Sequence, residues 1–119
     1  MYTIIRIEDV NTGKGMYNSD KGIADFDNTK NMCKLHKILP NPYRDGIELE
    51  KDDFCAFSSM EAFNNNTIPE ELKWLLINHT QFQVLLLNVS TCKIGNSGYQ
   101  VCYKKKDIIT QQNITSLFI

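Results

Sequence analysis

The stretch Phe82-Gln83-Val84-Leu85-Leu86-Leu87-Asn88-Val89 decides the fold. It is eight residues long and contains no glycine or proline. It is rich in the branched and aromatic side chains that suit a pleated strand. Val84 to Leu87 is apolar at odd and even positions alike. A strand shows one side chain to each face in turn, so this strand must be central and covered on both sides. Such a strand needs neighbours. Upstream, Tyr2 to Glu8 and Asp53 to Phe57 have strand composition. Downstream, Gly95-Asn96-Ser97-Gly98 reads as a turn, and Tyr99 to Lys104 alternates like an antiparallel partner with one wetter face.

The segments between these strands carry helix signals. Ser58-Ser59-Met60-Glu61 has the spacing of a capping box, with Ser58 and Glu61 three apart, and predicts a short helix through about Asn64. Thr67-Ile68-Pro69-Glu70-Glu71 repeats the chemistry: Thr67 as cap, a proline tolerated in the first turn, and two acids at the positive helix end. Leu72, Leu75, Leu76 and His79 share one face of that second helix. A third helix is predicted from Asp27 or Asn28 through about Lys37, with Met32, Leu35 and Leu39 inward. Asn11 to Gly15 and Pro40 to Gly46 read as turns. The tail from Asp107 fits a strand, a short helix or a docking segment. The expected architecture is a single α+β domain over residues 1–119: a small, mostly antiparallel sheet with two or three short helices packed on it.

Composition narrows the function. The 119 residues carry 13 basic and 14 acidic side chains, and a net charge of -1 argues against general nucleic-acid binding, which needs a basic excess. Apolar runs are far shorter than the roughly 20 residues of a membrane span. The opening Met1-Tyr2-Thr3-Ile4-Ile5-Arg6 has no basic leader with an apolar run, so no signal peptide is expected and Met1 reads as the native start. Cys33, Cys55, Cys92 and Cys102 are therefore expected as free, mostly buried thiols. The Asn-x-Ser/Thr triplets at Asn65, Asn78, Asn88 and Asn113 follow from abundant asparagine.

Catalytic and metal motifs are sparse. Cys33-x-x-His36 is half of a zinc site without a second close pair, so no metal and no cofactor are expected. Nucleophilic catalysis would have only His36 and His79 as imidazole bases, and Cys55 has no glycine elbow. Thr12-Gly13-Lys14-Gly15 lacks the spacing of a phosphate-binding loop. Binding residues are easier to nominate. Tyr17, Tyr43, Arg44, Tyr99 and Tyr103 are of the types that anchor protein interfaces. Glu48, Glu50, Asp52 and Asp53 could face a basic nucleic-acid channel and mimic phosphates, a reading that the modest net charge weakens.

The order of motifs carries a resemblance. Tyr2-Thr3-Ile4-Ile5-Arg6-Ile7 is followed by Thr12-Gly13-Lys14-Gly15-Met16-Tyr17, His36 and the Pro42 to Ile47 segment. Phe54 to Glu61, Leu72-x-Trp74-Leu75 and Phe82 to Val89 complete the series. It resembles a group of small phage and prophage proteins. That resemblance implies a mobile-element protein acting in the cytoplasm of a bacterial host. Its partner would be a host or defence protein, for example a CRISPR effector that it inhibits.

A second resemblance rests on Phe57-Ser58-Ser59-Met60-Glu61-Ala62, a helix, and the Phe82 to Val89 strand. These are similar to the middle of ADP-ribosyltransferase-like domains. By that resemblance Arg6 and Ser58 would hold NAD. The late catalytic Glu has no counterpart: no Glu follows Glu71, the later acid is Asp107, and an amide such as Gln100 cannot accept a proton as a carboxylate does. The resemblance thus implies an NAD-binding enzyme or a degenerate relative of one.

Overall fold

The structure is a computed structural model and describes residues 1–15 and 42–119. Six strands form one sheet: β1 (Tyr2–Asp9), β2 (Asp53–Phe57), β3 (Phe82–Val89), β4 (Lys93–Ile94), β5 (Gln100–Lys104) and β6 (Ile108–Asn113). Their spatial order is β4-β5-β2-β1-β3-β6, and every pairing is antiparallel. Two helices, α1 (Met60–Asn66) and α2 (Pro69–Asn78), bridge β2 to β3. The α+β expectation therefore holds, with the sheet dominant. The predicted helix near residues 27–37 lies outside the described residues.

β3 is central, as its composition requires. It pairs with β1 along its whole length, from Tyr2↔Val89 to Asp9↔Phe82, and with β6 on the other side. Its side chains divide between two cores. Phe82 and Val84 join Ile5, Ile7 and Phe57 on the helical face, where Phe63, Leu72, Leu75 and Leu76 cover them. Leu85, Leu87 and Val89 join Ile4, Ala56, Val101 and Tyr103 on the opposite face. Two covered faces explain why β1 shows no alternation of wet and dry positions between Ile4 and Ile7.

Local chemistry departs from the expected details at both helices. The α1 cap is Ser59, not Ser58: the Ser59 hydroxyl accepts from Ala62 N at 3.0 Å. Ser58 instead donates to Gly98 O, because the strand runs to Phe57 and its register with β5 carries Ser58 toward the 95–98 turn. Thr67 does not cap α2. Its hydroxyl donates to Phe63 O at 2.8 Å and closes α1, leaving Ile68 at the α2 N-cap without a side-chain bond. His79 sits past the last turn of α2 and packs against Trp74 at 5.3 Å between ring centroids.

β5 also differs. It pairs with β2 and β4 rather than with β3, and Gln100, Val101, Cys102 and Tyr103 are all buried. There is no wetter face, because the loop that carries Asp45 covers Gln100. The tail is a strand followed by a 3-10 turn (Thr115–Phe118) that places Ile114 in the helical core.

Candidate functional site

The site begins with a turn and a carboxylate. Pro42 opens a turn in which Asp45 N and Ile47 N donate to Pro42 O at 3.1 and 2.9 Å, and Gly46 N donates to Tyr43 O. Gly46 has φ +79°, which a side chain rarely adopts. The turn points Asp45 inward, where it is buried. Its carboxylate accepts from Ser97 N at 2.6 Å, from Ser97 Oγ at 2.8 Å and from Gln100 Nε2 at 3.3 Å. Its backbone carbonyl accepts from Asn96 N at 2.7 Å. Burial pushes the Asp45 carboxyl up, but the Ser97 and Gln100 hydrogen bonds outweigh it and hold it below its ordinary value.

This bond set locks the 42–46 turn onto the 95–98 turn of the β4–β5 hairpin. The fit is close. A Cβ at Gly95 would overlap the Asp45 carboxylate, and one at Gly46 would overlap the Asn96 amide. Ser58 completes the frame, since its hydroxyl donates to Gly98 O at 2.5 Å and its N–H to Tyr99 O at 2.9 Å.

Three of the nominated binding residues lie on or next to the two turns that Asp45 joins. Tyr43 is 74% exposed, Arg44 is exposed, and Tyr99 is 36% exposed at the end of the neighbouring turn. Ile94, also exposed, lies on the adjoining edge strand. Tyr103 is elsewhere: it is 2% exposed and packs on Phe54 at 6.0 Å. Burial raises its phenol well above the ordinary range. Tyr17 lies outside the described residues, as do Cys33 and His36.

Arg6 and Ser58 do not share a bond network. Arg6 is 4% exposed and donates to Glu8 Oε1 at 3.0 Å, Cys55 O at 2.7 Å and Gly13 O at 3.0 Å. Its guanidinium also stacks over the Phe54 ring at 5.1 Å, while Lys105 approaches the same ring at 4.9 Å. These bonds tie β1 to β2 and to the 11–15 turn. Ser58 serves the 95–98 turn.

The acidic run is offset in part from within. Lys104 Nζ donates to Glu50, to Asp52 Oδ1 at 2.7 Å and to Asp53 Oδ1 at 3.1 Å. Lys93 Nζ donates to Asp53 Oδ2 at 2.8 Å. The three carboxylates lie within 4.8 Å of one another, and the two ammonium groups offset two of their three charges. That pairing weakens the field a phosphate mimic needs.

Asp45 is the residue that sequence reasoning missed. Asp45-Gly46 reads correctly as a turn, but the partners of the carboxylate are 52 and 55 residues away. The paired signals were Gly46 and Gly95, each facing the other loop. Among the described residues no helix is long and apolar enough to cross a membrane.

No curated protein and no solved structure matches the chain. A family model does: the one described as Bacteriophage T4 Y00F protein matches residues 1–116. The match spans nearly the whole chain, including every strand and helix among the described residues and the locked loop pair, and the chain belongs to this bacteriophage family.

Proposed function

We propose that this phage protein inhibits a bacterial host or defence protein, such as a CRISPR effector, by binding it through Tyr43, Arg44 and Tyr99. The observation that carries the reading is the Asp45 lock. Tyrosine and arginine dominate interface energetics, and a rigid backbone beneath them lowers the ordering cost of binding. A loop held by three hydrogen bonds to a second loop and by a fourth to strand β5 is such a backbone. The alternative, an NAD-using transferase, has less support. Every Arg6 nitrogen already donates within the protein, and Ser58 is committed to Gly98.

A tagged chain would be incubated with a bacterial lysate containing CRISPR effectors and NAD, and captured proteins read by mass spectrometry. A stoichiometric, unmodified prey is expected. Tyr43→Ala and Arg44→Ala should each weaken its binding by about 2 kcal/mol, roughly 30-fold. Full retention by the double variant would overturn the assignment of the surface. A protein that gains ADP-ribose, in a reaction lost on Arg6→Ala, would favour the enzyme instead.

A further inference from the structure

Cys55 and Cys102 face each other across the β2–β5 pairing, in direct register. Their sulfurs are 3.2 Å apart, closer than two unbonded thiols need to be. Directly opposed residues in an antiparallel pair have Cα atoms about 4.5 or 5.5 Å apart. Both separations fall in the roughly 4.4–6.8 Å range that disulfides span. Closing to a bond of about 2.05 Å needs a shift near 1 Å, within reach of χ1 rotation. The two thiols are not equivalent. Cys55 is partly open to solvent, whereas Cys102 is 1% exposed. The hydrogen bond with Cys102, helped by the charge of Arg6, favours the Cys55 thiolate against the burial that opposes it. The same hydrogen bond and burial push Cys102 strongly the other way.

We propose that Cys55 and Cys102 form a redox-active dithiol that exchanges with small disulfides of the glutathione class. Cys55 is the attacking thiol. Its thiolate bonds to one sulfur of the oxidant, and the oxidant's own S–S bond breaks. The expelled thiolate takes up the proton that Cys55 released. Cys102 then loses its proton and attacks Cys55 Sγ, expelling the second small thiolate, which takes that proton. Two protein thiols are oxidised to one cystine, and one small disulfide is reduced to two thiols. The product fastens the β4–β5 hairpin, which carries Tyr99, covalently to β2.

The test uses the full chain, reduced, desalted and titrated with oxidised glutathione, then quenched with an alkylating agent and mapped by peptide mass. The expected result is a Cys55–Cys102 linked peptide, with two hydrogens lost, formed at native pH without denaturant. Cys102→Ser should stop at a glutathione adduct on Cys55. Cys55→Ser should slow uptake at Cys102 by about tenfold or more, as access and thiolate fraction both fall. Should a serine variant fail to fold, the wild-type map alone decides. Alkylation of both residues at oxidant levels that modify Cys33 or Cys92 would overturn the proposal. So would a link that appears only in denaturant. Adduct formation on Cys102 in the Cys55→Ser chain at the wild-type rate would overturn the order of attack.

Discussion

Asp53 shows how one side chain connects sequence neighbours to distant strands. Its side chain is almost fully covered, which alone would push its carboxyl up. Hydrogen bonds from Lys93, Glu50 N and Lys104 outweigh that and hold it at about 2, against an ordinary 3.8. A carboxyl depressed in the folded state favours folding above its ordinary value and loses that contribution as pH falls through the folded one. Stability is thus expected to decline between about pH 4 and pH 2 through this group. Asp53→Asn should cost about 1–2 kcal/mol at neutral pH and flatten that limb of the profile. Urea denaturation at a series of pH values would check it; an unchanged acid limb in the variant would exclude Asp53 as its source.

Helix α1 is seven residues long, too short to persist without caps and packing. Its start depends on the Ser59 hydroxyl, and its end on Thr67 and Asn66 bonding back to Phe63 O and Ala62 O. Phe63 then meets Phe57 edge-on at 5.1 Å and Phe118 at 5.2 Å. Ser59→Ala should destabilise the protein by about 1 kcal/mol, as a lost N-cap does. Ser58→Ala leaves the helix capped and instead removes a bond to the 95–98 turn. Guanidinium denaturation of both variants, with helix content followed in the far ultraviolet, separates the two roles. A larger helical loss in Ser58→Ala would restore the capping box.

At the scale of the whole molecule, the tail closes the structure. β6 covers the outer edge of β3, Ile114 N donates to Val84 O at 2.9 Å, and the Thr115 hydroxyl accepts from Val84 N at 2.9 Å. Ile114 and Phe118 finish the helical core. A chain ending at Asp107 would expose β3 as an unpaired, mostly apolar edge and lose both side chains. That loss exceeds about 5 kcal/mol, comparable to the total stability of a small domain. Thermal melting of the truncated chain should lose its cooperative transition, with aggregation through the bare edge. A sharp melt near the full-length midpoint would show that the tail is dispensable. The opposite edge is protected differently: β4 is only two residues long and carries Lys93.

The sequence by itself determined the kinds of elements and most of their positions. Val84 to Leu87 announced a strand buried on both faces, Leu72, Leu75 and Leu76 announced a helix face, and Gly95 to Gly98 announced a turn. These are local matters of side-chain period, proline and glycine geometry, which the chain carries within a few residues. The tertiary structure decided everything that depends on distant partners. It chose β2 rather than β3 as the neighbour of β5, and Ser59 over Ser58 as the cap. It buried Tyr103 and Arg6 while presenting Tyr43 and Tyr99. It brought Asp45 to Ser97 and Cys55 to Cys102. Tyrosine, aspartate and cysteine serve equally well inside or outside, and only the register of strands some 50 residues apart settles which role each one takes.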